Sequence, residues 1–549
     1  MQENNITYFA ETDARNKRVR FGIKDEDRLR HIYSIGKTGM GKSTMLENMA
    51  IQDIQNGNGM AFLDPHGKTA DLLLDYIPEE RIKDVIYFAP FDTEHPISFN
   101  VMEDVGENRR HLVLSGLMSA FEKLFGEESF SDRMQYILQN TILALLEYPG
   151  ATMLGINKML SDKTYRNSVI ANITDPSVKD YWIKEYAGYT ERFAAEAIPA
   201  IQNKIGQFTS NPLIRNIIGQ PKSSFDIRKI MDDKKILIVN LSKGLVGENN
   251  ANLLGSMLVT KIYLAAMSRA DADPKELKKL PSFYLYVDEF QSFANKSFAN
   301  ILSEARKYKL SLNITHQYVE QMAEEVRAAV FGNVGTMIAF RVGSYDAEIL
   351  EKEFAPIFTM EDLVNLGFVQ IYLKLMIDGV ASQPFSATTL PPIPKVGISF
   401  RDKVVEMSRK TYTKPKAEIE KTIKEWHSTD QSSEISKKSI KKEEKIEEKP
   451  KKNNALGNAI KEAVKEKNGS VINNQESRRE KISLKELKPK DKSKKPSPGN
   501  LNALKEALNK IQNSKTKSQN IEEKEEKIKE KPKPNEVPEE TLKKILKGE

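Results

Sequence analysis

The chain has 549 residues, 84 Lys+Arg and 77 Asp+Glu, for a formal net charge of +7. Residues 401–549 hold 40 of the basic and 27 of the acidic side chains, so residues 1–400 carry a net −6 and the positive excess belongs wholly to the C-terminal quarter. The lack of cysteine excludes disulfide scaffolds, zinc–thiolate sites and cysteine nucleophiles, no apolar run approaches the roughly 20 residues that span a bilayer, and Met1-Gln2-Glu3-Asn4-Asn5 has neither the basic nor the apolar region of a secretory signal, so a cytoplasmic protein is expected.

In chain order, His31–Ile35 reads as a short buried strand. Gly36-Lys37-Thr38-Gly39-Met40-Gly41-Lys42-Ser43 then fits G-x-x-x-x-G-K-[ST] in full, and Thr44 opens a segment in which Met45, Leu46, Met49 and Ala50 recur at helical spacing. Glycines let such a loop curl so that backbone N–H groups face phosphate oxygens, and the helix N-terminus adds partial positive charge. Lys42 is expected to reach the β- and γ-phosphates of ATP, and Ser43 to ligate Mg2+. Strand Met60–Leu63 follows, ending in Asp64-Pro65-His66-Gly67, and then strand Val85–Phe88. Asp64 and His66 have the look of a metal or acid–base pair, but Pro65 and Gly67 also suit a strand-end turn, and neither is taken as catalytic.

Residues 105–230 show only helical patterns (Leu112–Leu124, Met134–Leu146, Ile156–Leu160, Val178–Tyr186, Phe193–Phe208), which reads as an all-helical insertion. The β pattern returns at Ile236–Leu241, followed by helix Asn250–Met267. Phe283–Val287 is a continuous apolar run ending in Asp288-Glu289. With a P-loop upstream, Asp288 is expected to hold Mg2+ and Glu289 to act as general base for ATP hydrolysis. The helical stretch Leu302–Tyr308 leads into strand Leu310–Thr315, whose tip offers Gln317 as sensor of the γ-phosphate, with His316 as the other candidate. Arg306 suits an arginine finger for a neighbouring subunit, although the residues alone favour a solvated helix charge. Helix Val319–Val330, strand Thr336–Phe340, helix Asp346–Phe354 and a hairpin from Val369 to Ala387 turning at Asp378-Gly379 complete an alternating pattern, which implies a mainly parallel sheet covered on both faces.

These motifs together resemble the FtsK/HerA superfamily of RecA-like ATPases, and within it the type IV secretion coupling proteins, the TraD/TraG-like conjugative DNA pumps. The resemblance spans residues 18–395. It rests on Arg30–Tyr33 entering the P-loop, Phe62–Gly67, Phe99-Asn100, Tyr286–Phe290, Ala305–Lys307, Thr315–Gln317, Gly332–Val334, Phe340–Gly343 and Asp346-Ala347. It implies a homo-hexameric ring that threads DNA with ATP at subunit interfaces, Arg306 as trans-acting finger and Gln317 as sensor. It also implies a helical domain that meets the relaxosome or substrate. Such proteins usually begin with transmembrane helices, whereas this chain starts almost at its P-loop, so attachment to the inner face of the cell membrane is expected through partners. The residues leave open a secretion or pilus ATPase acting on proteins, or a nucleotide-gated scaffold.

The division expected is therefore 1–104 and 231–400 as the two parts of the P-loop domain, 105–230 as the helical insertion, and 401–549 as a disordered Lys/Glu-rich tail. In that tail Asn458–Val464 nearly repeats as Asn502–Leu508, short amphipathic segments suited to docking on secretion or DNA-processing partners.

Overall fold

The computed structural model describes residues 6–428 apart from 14–16, 104, 297 and 396. Its strands are β1 (Ile6–Thr12), β2 (Arg20–Lys24), β3 (Ile32–Ile35), β4 (Gly59–Asp64), β5 (Val85–Phe88), β6 (Ile236–Asn240) and β7 (Phe283–Val287), then β8 (Leu310–His316), β9 (Thr336–Ala339), β10 (Gln370–Lys374), β11 (Met376–Ile377), β12 (Val380–Ala381) and β13 (Phe385–Thr389). Eleven of them form one sheet in the order β2-β1-β13-β10-β9-β3-β8-β7-β4-β6-β5. From β9 to β5 every pairing is parallel; from β9 outward to β2 every pairing is antiparallel.

The central strands read as unbroken apolar runs because both of their faces are covered. Along β4, Met60 and Phe62 enter one core cluster, with the helix Lys42–Gln55, while Ala61 and Leu63 enter the other. That second cluster runs without a break from the sheet into the helices between β5 and β6. Among the described residues no strand interrupts the chain there, as expected, and the helices Arg110–Phe125, Asp132–Leu146, Leu154–Ser161 and Glu191–Thr209 match the periodic segments closely. Val178–Tyr186, expected as one helix, is instead a short α turn followed by a π turn at Tyr181–Glu185. Helix Arg110–Phe125 lies hard against helix Glu248–Met267: a Cβ on Gly116 would sit 2.3 Å from Thr260 Cγ2.

Four further features depart from the sequence reading. The antiparallel hairpin β1–β2 was not foreseen; its register slips between Tyr8 and Ala10, which blurs the alternation that marks a strand. The stretch Val319–Val330 is broken into a turn at Val319–Gln321 and a helix Glu324–Asn333. The stretch Glu248–Asp271 is long and apolar enough to cross a membrane by length and composition, yet 67% of its 18-residue apolar window is buried inside the fold, so it behaves as a core helix.

The fourth departure moves the start of the tail. Arg401–Tyr412 is helical and closes the free edge of β5: buried Ser408 Oγ accepts the Tyr87 N–H at 2.9 Å, and Val404 is fully buried. Residues 416–428 are helical too, and Ile419, Ile423 and Trp426 pack with Leu154 of the helical run. The charged composition that suggested a tail from 401 hides these two short apolar faces, one on each helix. The repeated Asn458–Val464 and Asn502–Leu508 segments, and the rest of the expected tail, lie outside the described residues.

Candidate nucleotide site

The glycine loop links β3 to the helix Lys42–Gln55, and its backbone needs its glycines. Gly39 and Gly41 lie at φ 79° and 110°, in the region that side chains avoid. A Cβ on Gly36 would stand 2.5 Å from Phe340 Cβ, so this glycine lets the loop leave the sheet beside β9. Two backbone bonds pin the start of the loop, from Gly36 N–H to the His316 carbonyl at 3.3 Å and from Lys37 N–H to the Arg341 carbonyl at 2.8 Å. Met40 packs partly into the core, Lys37, Thr38 and Gly39 are exposed, and Thr44 is half-buried in the first helical turn. The helix starts at Gly41 with no side-chain cap, leaving its first turn suited to an anion.

Lys42 is buried, and its ammonium rests on the carbonyls of Gly36 and Lys37 at 2.5 and 3.1 Å. Burial pushes its pKa down, with Glu289 and Asp288 pulling the other way.

The acidic side of the site comes from the neighbouring strands. Because β8 lies between β3 and β7 in the sheet, the ends of all three strands face one another. Ser43 Oγ donates to Asp288 Oδ2 at 3.0 Å, and Thr315 Oγ1 donates to Asp288 Oδ1 at 2.5 Å. Glu289 sits at φ 47°, a left-handed conformation rare for a residue with a side chain. This turns it sharply off the end of β7. Gln317 Nε2 donates to Glu289 Oε1, and Gln291 Nε2 donates to Glu289 Oε2 at 2.5 Å. Ser43, Lys42, Asp288, Glu289 and Gln317, all expected from sequence, thus meet at one sheet edge. Thr315 and Gln291 were not singled out for these contacts, since nothing in the sequence shows which oxygen a strand-end hydroxyl or amide will reach.

His316 does not point into this cluster. It is buried, its Nδ1 faces the Tyr33 hydroxyl at 3.3 Å, and burial, followed by the charges of Lys42 and Lys123, pushes its pKa down to about 3. Arg306 is exposed and precedes β8, at the end of that strand remote from Gln317. Seven residues of strand put roughly 20 Å between them. Asp64 serves its own turn: its carboxylate accepts the N–H groups of His66 and Ala70 at 2.8 and 2.9 Å, and His66 is exposed.

The residues present fit a nucleoside triphosphate with a divalent cation. The outer face of the loop at Gly39 is open, with nothing within 4 Å of a Cβ built there. The half-buried Ser43 hydroxyl and the buried Asp288 carboxylate, adjacent at the end of the glycine loop, form the oxygen donor pair that Mg2+ takes alongside phosphate oxygens.

A full glycine loop, an acidic strand end across one intervening strand and a mainly parallel sheet define a P-loop NTPase of the RecA-like kind. Residues 4–333 match the family described as Type IV secretory system conjugative DNA transfer, and the chain belongs to that family. No curated protein matches it. Among solved structures, the plasmid coupling protein TrwB in complex with the non-hydrolysable GTP analogue GDPNP is 13% identical, with a TM-score of 0.50 over 72% of this chain and 97% of that chain. TrwB in complex with ADP and Mg2+ is 15% identical, with a TM-score of 0.49 over 71% and 96%. VirB4 of Thermoanaerobacter pseudethanolicus is 13% identical, with a TM-score of 0.48 over 71% and 98%. At these identities the likeness is one of fold.

Proposed function

We propose that the chain hydrolyses ATP with Mg2+ and uses the energy to move DNA through a homo-hexameric ring, as the coupling ATPase of a type IV secretion machine at the cytoplasmic side of the membrane. The observation that carries the reading is the convergence of Ser43, Asp288, Glu289 and Gln317 beside the glycine loop. The GDPNP held by TrwB supports a triphosphate at the loop, and the conjugative family supports DNA and secretion-system proteins as partners.

In this reading Lys42 exchanges two carbonyl partners for phosphate oxygens, which relieves the cost of burying its charge. Bound Mg2+ would be held by Ser43 and Asp288 and would neutralise charge on the phosphates. Thr315 fixes Asp288 in place for that task. Glu289 takes the proton of the attacking water, and Gln317, already bonded to it, positions water and base together. Arg306 lies too far along β8 to serve its own loop, which favours action on a neighbour across a subunit interface. The helices between β5 and β6 read as an inserted domain that meets the transferred substrate.

The test is ATP turnover with single-stranded DNA, duplex DNA or neither, read beside particle images. Turnover stimulated by DNA in six-membered rings is expected, with Lys42→Ala inactive and Glu289→Gln retaining ATP. Stimulation by secretion proteins but by no DNA would move the reading to a protein-directed ATPase. Mixing Arg306→Ala subunits into wild-type rings should silence neighbouring sites; a loss strictly proportional to the mutant fraction would refute action in trans.

A further inference from the structure

Glu289 is held on both oxygens, and one of the two hands that hold it is tied to the helical run. Gln291, in the turn Phe290–Ser292, grips Oε2. The backbone of that turn and of the residues just after it is pinned from outside the sheet. Lys123, near the end of helix Arg110–Phe125, donates from Nζ to the carbonyls of Gln291 and Ala294, both at 2.5 Å. The same helix ion-pairs through Glu122 with Lys296 at 3.2 Å. On the other side Ser256 Oγ donates to the Phe293 carbonyl at 3.0 Å, and a Cβ on Gly255 would stand 2.2 Å from the Phe293 ring, so the segment is wedged between two helices. A cavity of about 180 Å³ lies at this seam, lined by Lys123, Ala294 and Asn295 among others, so the segment has room to shift.

We propose that Lys123 is a positioning residue that governs Glu289 through Gln291, so that a movement of the helical run frees or restrains the base. The proposal rests on the hydrolytic reading above. While both carboxylate oxygens accept amide N–H groups, the carboxylate is fixed, and turning it onto a water requires one amide to let go. Gln317 follows directly on β8 and so answers to the sheet. Gln291 answers to the helical run, because the carbonyl of Gln291 itself is one of the two that Lys123 holds. Although Lys123 as a residue is exposed, burial of its ammonium at this seam pushes its pKa down to about 8, so the two bonds are held against a desolvation cost that release to water recovers, as a reversible latch requires. A state of the helical run, such as contact with a transferred strand, is thereby read at the base with no contact to nucleotide.

The test compares full-length wild type with Gln291→Ala, Lys123→Met, the double variant and Lys123→Arg. Without DNA, kcat should rise about two- to tenfold in each of the first two variants, the factor that one hydrogen bond represents. KM for ATP should hold steady. The double variant should match the singles rather than multiply them, because both act through one grip, and Lys123→Arg should stay at the wild-type rate. The further gain from a single-stranded oligonucleotide should shrink by the same factor. A Lys123→Met rate equal to or below wild type, or multiplying effects in the double variant, would overturn the proposal. Amide hydrogen exchange across residues 289–294 without nucleotide gives a second reading independent of turnover: exchange should quicken in Lys123→Met, and unchanged protection refutes the latch. Should wild type show no turnover at all, the hydrolytic reading falls, while the exchange result still decides whether Lys123 holds this segment.

Discussion

Ser43 and Asp288 stand 245 residues apart in sequence and 3.0 Å apart in the fold, hydroxyl to carboxylate. The bond exists because β3 and β7 end at the same edge with only β8 between them. Both groups offer oxygen, and Thr315 holds the far oxygen of Asp288, so the pair is preorganised for a hard divalent cation. Ser43→Ala and Thr315→Val should each raise the Mg2+ concentration needed for half-maximal nucleotide binding by about 10–100-fold, the usual effect of removing an orienting partner or a weak ligand. A titration of fluorescent ATP against Mg2+ checks this, and an unchanged midpoint in both variants would remove the pair from the cation site.

Arg28 sets a different kind of expectation. It is fully buried, bonds Asp53 through both terminal nitrogens at 2.8 and 2.7 Å, and also donates to Thr7 and the Tyr286 hydroxyl. Its guanidinium lies 3.6 Å from the centre of the Tyr284 ring. This knot ties β1, helix Lys42–Gln55 and β7 behind the site. Removing one charge strands the other, so Arg28→Met is expected to cost roughly 3–5 kcal/mol, while pairing it with Asp53→Leu should restore much of the loss. Urea unfolding of the three proteins decides the matter; equal losses in the single and double variants would show that packing, not the stranded charge, dominates.

How much of this was legible in sequence follows from where each signal lives. Strands such as Phe283–Val287 and Ile236–Asn240 announce themselves because two buried faces demand an unbroken apolar run. The glycine loop is legible because its backbone conformations admit few other residues. Arg28 and Asp53 are ordinary surface residue types, and only the fold reveals that they share a buried site. Lys123 is still harder to see, since its partners are backbone carbonyls that carry no residue identity. The helices of 401–428 were lost in composition: Val404 and Ser408 are buried on the first, Ile419 and Ile423 on the second, and an averaged count of Lys and Glu cannot register two such narrow faces.

Acid should loosen the fold through three histidines whose pKa values lie below the ordinary one: His31, His316 and, by burial and the charges of Lys158 and Arg215, His427. His31 accepts the Leu312 N–H at Nδ1 and faces the Leu302 carbonyl with Nε2, so the neutral ring with its proton on Nε2 satisfies both contacts. Burial, then Arg306, push its pKa down to about 4, and His316 lies at about 3. All three folded values fall below the ordinary 6.5. The unfolded chain therefore takes up protons as pH drops through 6.5 while the folded chain does not, and stability declines from there toward pH 4. Asp64 and Glu47, whose carboxyls burial holds up, act with the opposite sign at lower pH, so the clearest window is about pH 6.5 to 5. In urea unfolding across that window His31→Gln should flatten the decline by about a third to a half. A slope identical to wild type would mean that other groups carry it.

The strap formed by residues 401–428 should be required where the rest of the C-terminal sequence is not. Its first helix supplies the Tyr87 N–H of edge strand β5 with a partner at Ser408, and Arg409 pairs with Asp92 at 2.6 Å. Its second helix covers Leu154, and Lys158 Nζ lies 4.3 Å over the Trp426 ring while donating to the Trp426 carbonyl at 3.1 Å. One helix is thus fixed to the sheet and the next to the helical run. A chain ending at residue 428 should melt within about 1–2 °C of the full chain. A chain ending at residue 400 uncovers an unpaired strand edge together with the partners of Val404, Ile419 and Ile423, each worth about 1.5–3 kcal/mol of burial. It should melt several degrees lower and self-associate. Calorimetry with light scattering compares the three lengths. Equal melting of the two shortened chains, both free of aggregation, would show that the strap is an ornament on a fold already closed without it.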